Sequence, residues 1–238
     1  MIPFIFAVPF SHKYLIADDA STAFTRTLRA LATLVSFVFH PVFMPVVMIL
    51  LVYKLAPINF AGIPIGNIVQ EGSLANLLFT VALATVFFPL LAVFLMKKLD
   101  LIKSIEMHEL KDRILPLIAI MIFYFWLNHV MGNRPVQPPI VVRLLILGSF
   151  WSVIALFMAS IFFKISMHAT AAGGMLGLFI VLLFINPIDM RVPLFIAMIL
   201  AGVIGTARLL LGAHRPGEVW AGYALGLAVQ TAAYFYLT

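Results

Sequence analysis

The chain has 238 residues, of which 64% are hydrophobic and only 10% are charged, whereas a soluble domain carries about 25% charged residues. With a mean hydropathy of +1.14, this composition excludes a soluble enzyme, a disordered segment and a nucleic-acid-binding domain despite the net charge of +6, and it indicates an integral membrane protein. Cysteine is absent, which excludes disulfides, thiolate metal sites and cysteine nucleophiles.

Seven apolar stretches approach the length of about 20 residues that a helix needs to cross a bilayer. They cover residues 31–55, 74–96, 114–131, 140–163, 169–185, 192–211 and 219–237. Pro41 and Pro45 predict kinks in the first of them. Since no domain-sized hydrophilic stretch separates the seven, we expect one domain over residues 1–238. The predicted fold class is all-α, a polytopic transmembrane helical bundle of six or seven spans.

Two further segments are candidates for a signal peptide and for a helix at the membrane interface. Residues 1–10 are apolar, but they carry no basic segment and no small-residue cleavage site follows them, so no cleaved signal peptide is expected. Residues 97–113 are dense in charge, and their Leu and Ile residues are spaced for one apolar face. This pattern favours a helix that lies at the membrane interface.

Small residues recur in the last three predicted spans. They are Gly173, Gly174, Gly177, Gly202, Gly205, Gly222 and Gly226. Small residues at helical spacing let two helix backbones approach closely in a membrane. We therefore expect these glycines to mark tight helix contacts rather than a nucleotide-binding loop.

Ionisable residues at membrane depth are costly and mark functional sites, and here they form three groups, in residues 111–113, 164–168 and 208–218. Two predicted crossings separate each group from the next, so all three lie on the same side of the membrane. The bundle is then expected to gather five of their side chains into one cluster: Arg113, Lys164, His168, Arg208 and His214.

This combination of side chains suits a phosphate ester or a diphosphate. The cations can neutralise the phosphoryl oxygens, one His can attack phosphorus, and the other can protonate the leaving oxygen. His214 and Glu218 share a helical face at i, i+4 spacing, so the carboxylate can orient the imidazole. A metal site is the alternative for two His and an acid. The surrounding cations would repel a divalent ion, so we expect no metal and no other cofactor.

The same residues resemble motifs of the type 2 phosphatidic acid phosphatase (PAP2) superfamily, the membrane-embedded histidine phosphatases. The third family motif, Ser-Arg-x5-His-x3-Asp, is similar in spacing to Arg208, His214 and Glu218. The second motif, Pro-Ser-Gly-His, resembles Ile-Ser-Met-His at residues 165–168.

The first family motif, Lys-x6-Arg-Pro, resembles Lys111, Arg113 and Pro116 in residue types but not in spacing. The resemblance therefore begins near residue 111. It implies a family-like core over residues 111–238, preceded by additional spans over residues 28–96.

The resemblance implies a role for each matching residue. His214 would be the nucleophile that forms a phosphohistidine, Glu218 would orient it, and His168 would be the general acid for the departing alkoxide. Arg208 and the hydroxyl or backbone of Ser166 would hold the phosphoryl oxygens. The family works without a metal.

The chain departs from the family pattern at three points. Glu218 stands in place of Asp, and Met167 in place of Gly. Lys111 and Arg113 precede the second motif by two predicted spans, whereas the family has its first two motifs in one loop. Lys164 is then expected to supply a cation of the first motif.

The other ionisable residues have simpler interpretations. Arg215 is expected to contact lipid head groups. Four further histidines are expected to be hydrogen-bonded interface residues, namely His12, His40, His108 and His129.

The sequence therefore predicts a membrane phosphatase whose partner is a lipid phosphate in the bilayer, not a nucleic acid. Candidate substrates are phosphatidic acid, phosphatidylglycerol phosphate, a sphingoid phosphate and a polyprenyl diphosphate. Two alternatives stay open: a lipid phosphotransferase, and a non-catalytic lipid-binding or transport protein with the same fold. The lipid's identity and the oligomeric state do not follow from the sequence.

The expected location is the cell membrane, and the orientation follows from charge. With seven spans, 11 of the 15 Lys and Arg residues fall on the side of the three groups and 4 on the other. The positive-inside rule then favours a site at the cytoplasmic face, while the family resemblance favours the opposite face.

Overall fold

A computed structural model describes residues 19–102 and 110–238, with side chains described for residues 25–102 and 113–238. These residues form nine α-helices and no strand: α1 (Asp19–Val38), α2 (Met44–Leu55), α3 (Leu74–Ala82), α4 (Phe88–Lys98), α5 (Leu110–Gly132), α6 (Ile140–Ser160), α7 (Met167–Ile185), α8 (Arg191–Leu210) and α9 (Pro216–Leu237). Five segments are long and apolar enough to cross a membrane: Leu74–Lys98, Arg113–Gly132, Ile140–Ser160, Met167–Ile185 and Arg191–Leu210. The predicted all-helical membrane fold is confirmed in outline. Residues 1–10 lie outside the described residues.

The first predicted span is two helices rather than one kinked helix. α1 ends at Val38 and α2 begins at Met44. Pro41 and Pro45 lack backbone N–H groups, and Pro41 also disfavours the helical conformation at His40. The prediction of a single span over residues 31–55 is therefore wrong, and α2, with 12 residues, is shorter than a membrane span.

The second span contains a wide helical turn. α3 and α4 form one continuous helical segment, but residues Leu83–Phe87 between them have π-helical geometry. Pro89 follows directly, and it cannot donate a hydrogen bond to the carbonyl of Thr85 four residues earlier. The wider π-helical turn accommodates the position at which Pro89 has no backbone N–H to donate.

The predicted interface helix over residues 97–113 is interrupted. α4 ends at Lys98, and Asp100 adopts the left-handed conformation with φ of 55°. Residues 103–109, including His108, lie outside the described residues. α5 begins at Leu110, so Arg113 lies within the helix rather than before it.

Glycines hold α7 and α9 in backbone contact at the centre of the bundle. A Cβ atom on Gly226 would overlap the carbonyl oxygen of Thr170, and one on Gly173 would overlap the backbone of Tyr223. The predicted close packing is confirmed at these positions. It is wrong for Gly202, which is exposed and whose Cβ would meet no atom within 4 Å.

The helices α5 to α9 alternate in direction, as in an up-and-down bundle. The starts of α5, α7 and α9 therefore meet the ends of α6 and α8 at one end of the molecule. Hydrogen bonds across this end join the segments, and Ser166 N–H donates to the Glu218 carbonyl at 3.2 Å. The three ionisable groups lie at this end, as the count of crossings predicts.

Candidate active site

A cavity of about 580 Å³ opens at this end of the bundle. Its lining includes all five side chains that were expected to cluster: Arg113, Lys164, His168, Arg208 and His214. The predicted cluster is therefore present. The rest of the lining is largely apolar and comes mostly from α1, α4, α5 and the connection between α1 and α2, with smaller parts from α7 and the α8–α9 connection.

His214 is paired with Glu218 as the helical spacing predicts. His214 precedes α9, and Pro216 starts that helix, where no backbone donor is needed. Nδ1 of His214 lies 2.6 Å from Oε2 of Glu218, and the His214 side chain is 5% exposed. Because a carboxylate accepts hydrogen bonds, Nδ1 carries the proton and Nε2 of the neutral ring keeps its lone pair.

Burial lowers the pKa of His214 below its ordinary value of 6.5, and the nearby charges of Arg208 and Lys164 lower it further. The hydrogen bond and charge of Glu218 raise the pKa without offsetting the burial. The imidazole is thus neutral at neutral pH, which is the state that a nitrogen nucleophile requires.

His168 is the second residue of α7 and is buried. Its Nε2 donates to the backbone carbonyl of Ser36 at 3.0 Å, because a carbonyl oxygen can only accept. The end of α1 therefore fixes both the orientation and the tautomer of this ring.

Two cations are anchored to backbone carbonyls of the connections between helices. Nη1 of Arg113 donates to the carbonyl of Ile165 at 3.2 Å, and Nζ of Lys164 donates to the carbonyl of Ala213 at 3.2 Å. These bonds tie the α6–α7 connection to α5 and to the α8–α9 connection.

Arg208 is anchored by a side chain. Its Nη1 donates to the hydroxyl of Ser36 at 3.1 Å, while its Nε is buried and has no partner among the described residues. A buried, unsatisfied donor on a charged group is costly. An anion or water in the cavity would reduce that cost.

Ser166 joins the helix starts at this end of the bundle. It is fully buried and does not line the cavity. Its hydroxyl caps α7 by accepting from the backbone N–H of Ala169 at 3.3 Å, and its own N–H donates to the Glu218 carbonyl. Its predicted contact with the phosphoryl oxygens stays a prediction.

The side chain of Lys111, another predicted substrate-binding residue, lies outside the described residues. Its backbone belongs to the first turn of α5, two residues before Arg113. Its predicted role stays a prediction.

Two residues of the cavity were missed by the sequence analysis. Ser36 contacts both His168 and Arg208. His40, interpreted as an interface residue, lines the cavity, and its ring lies edge-on to that of His168 with 5.2 Å between centroids. The break before Pro41 was the one signal that could have drawn attention to this segment.

Within the described part of the chain, no three side chains of His, Asp or Glu come together as metal ligands do. Comparison of the chain with protein-family models, with curated proteins and with solved structures finds no match.

Proposed function

We propose that this protein is a membrane-embedded phosphatase of the type 2 phosphatidic acid phosphatase kind, which hydrolyses a lipid phosphate or a polyprenyl diphosphate through a phosphohistidine. The observation that carries the proposal is the His214–Glu218 pair at a cavity lined by three cations, Arg113, Lys164 and Arg208. An imidazole oriented by a carboxylate supplies a nucleophile. The cations stabilise the charge on the phosphoryl oxygens in the transition state.

The first step forms the phosphoenzyme. Nε2 of His214 attacks phosphorus and forms an N–P bond, while the P–O bond to the substrate's leaving group breaks. Protonated His168 gives its proton to the departing oxygen. Because Nε2 of His168 donates to Ser36, the proposal assigns this proton transfer to Nδ1.

The second step releases phosphate. Water attacks the phosphohistidine, His168 takes a proton from that water, and the N–P bond breaks. Inorganic phosphate leaves, and His214 returns to its neutral state with Glu218 as its partner. The proton taken by His168 restores it for the next turnover.

We also propose that the chain is a multi-pass protein of the cell membrane with the site at the cytoplasmic face. The break between α1 and α2 lies at the cavity, so Arg26 and Arg29 can no longer be assigned to the side of the site by counting spans. The orientation then depends mainly on Lys97 and Lys98 at the end of α4, close to the membrane, where the positive-inside rule is strongest.

The test is phosphate release by the purified protein from phosphatidic acid, phosphatidylglycerol phosphate, a sphingoid phosphate and a polyprenyl diphosphate. We expect His214→Ala to abolish release. His129→Ala changes an exposed histidine near the opposite end of the bundle and should leave release unchanged. Turnover should persist in EDTA, since the cations neutralise the phosphate. No release from any substrate, or equal release by His214→Ala, would contradict the proposal.

A further inference from the structure

A second, larger hollow lies beside the catalytic cavity. It is a groove of about 900 Å³ between the α1–α2 segment and the span formed by α3 and α4, and all twelve residues that line it are apolar. Among them are Phe43 and Val47 on one wall and Phe79, Val86 and Phe94 on the other. Such a surface offers nothing to a phosphate but matches a hydrocarbon chain.

The groove and the cavity meet at Leu90. This residue lines both the cavity and the groove. Because it is 46% exposed, its side chain separates the two only in part. On the other side of the junction, Phe37 lines the cavity and the next residue, Val38, lines the groove. A molecule with a phosphate in the cavity can therefore extend past Leu90 into the groove.

We propose that this groove, named here the α2–α4 groove, binds the hydrocarbon chain of the substrate and admits it sideways from the bilayer. The inference rests on the proposed function, because it takes the cavity as the phosphate site. It assigns the position of the lipid's hydrocarbon chain, which leaves the cavity between α2 and α4. Short soluble phosphates would occupy the cavity alone.

An alternative path for the substrate's hydrocarbon chain runs deeper into the helix bundle. A cavity of about 80 Å³ shares Met167, Leu117 and three other lining residues with the catalytic cavity. However, hydroxyl groups of Thr85 and Tyr124 line it, and Thr85 Oγ1 is buried without a hydrogen-bond partner among the described residues. A hydrocarbon chain in this smaller cavity would leave such hydroxyl groups buried without water as a hydrogen-bond partner, which costs free energy. The volume of this cavity is also far smaller than that of the groove.

The kinetic test narrows the groove next to the junction, at a residue that does not line the catalytic cavity. Leu91→Trp should lower kcat/KM for hexadecyl phosphate by about tenfold or more through steric overlap, while kcat/KM for butyl phosphate stays nearly unchanged, because Leu91 lines the groove alone. Val203→Trp is the matched control, because Val203 is a similarly exposed residue on α8 that lines a separate groove against α1. An equal effect of Leu91→Trp on both substrates, or no effect on either, would overturn the groove assignment.

A second measurement does not depend on turnover or on the fold of a variant. Wild-type protein is photolabelled with a hexadecylphosphonate that carries a diazirine at its chain end and that the proposed reaction cannot hydrolyse, and with a hexadecanol probe as the phosphate-free reference. We expect the phosphonate probe to label the groove segments of α2, α3 and α4 in preference to the reference probe. Labelling around Tyr124, or identical patterns for both probes, would overturn the inference. If wild type hydrolyses neither substrate, the proposed function fails, while labelling in the groove still supports chain binding.

Discussion

At the scale of single residues, the protonation of His214 is set by opposing effects. Burial and the nearby cations favour the neutral ring, whereas Glu218 favours the charged ring. A nucleophile must be neutral, so activity should be lost as the pH falls through the pKa of His214. The acid limb of the pH–activity profile should therefore lie below pH 6.5, the ordinary pKa of histidine.

Glu218→Gln should lower kcat on the order of 10²-fold, because the ring loses its charged partner. It should also move the acid limb of the kcat/KM profile to lower pH, since the group that raises the pKa of His214 is removed. Glu218→Asp keeps the negative charge and is the control, with an acid limb closer to that of wild type. An acid limb that moves to higher pH in Glu218→Gln would contradict this account of the pair.

Ser36→Ala should lower kcat/KM by about tenfold, because a hydrogen bond to a charged group stabilises by about 1.5–3 kcal/mol and Arg208 loses this anchor. The contact with His168 uses the backbone carbonyl and should survive the substitution. Thr33→Ala is the control, since the Thr33 hydroxyl lines the same cavity but donates to the Arg29 carbonyl within α1. An equal loss in both variants would argue against a specific role for Ser36.

At the scale of the elements, the position of the histidines depends on the contact between α7 and α9. His168 lies in the first turn of α7 and His214 just precedes α9, so a change in the packing of these helices moves both residues. The contact is between backbones at Gly226 and Thr170, and neither backbone can move aside locally.

Gly226→Ala should therefore destabilise the protein by about 1–3 kcal/mol through overpacking, seen as a lower Tm in detergent. Gly217→Ala provides the comparison in the same helix, because its Cβ meets no atom within 4 Å. That variant should keep or raise the Tm, since Ala has a higher helix propensity than Gly. Equal Tm values for wild type and Gly226→Ala would show that the helices can separate without cost.

At the scale of the whole molecule, orientation in the membrane would decide which face supplies the water and receives the phosphate in the proposed reaction. The absence of cysteine from the chain allows single cysteines to report the orientation directly. Leu99, 68% exposed, follows α4 near the site end, and exposed Asn133 follows α5 at the opposite end.

In intact cells, a membrane-impermeant maleimide should label Asn133→Cys and not Leu99→Cys, because the lysines before Leu99 favour the cytoplasm. Both variants should label after permeabilisation, which controls for the accessibility of each cysteine. The reverse pattern in intact cells would place the active site outside.

The sequence by itself determined the all-helical membrane class of the protein and the grouping of ionisable side chains at one end of it, because both depend on local signals. Runs of apolar residues predict spans, and counting the spans places the three ionisable groups together. The i, i+4 spacing predicts the pairing of His214 with Glu218, and the structure contains that pair, although His214 lies just before α9.

Only the tertiary structure decided which distant residues complete the site. Ser36 lies 132 residues from His168 and 172 from Arg208 along the chain, and no local pattern at Ser36 signals either contact. Hydropathy records which side chains avoid water, whereas the identity of their neighbours is set by how the whole bundle packs.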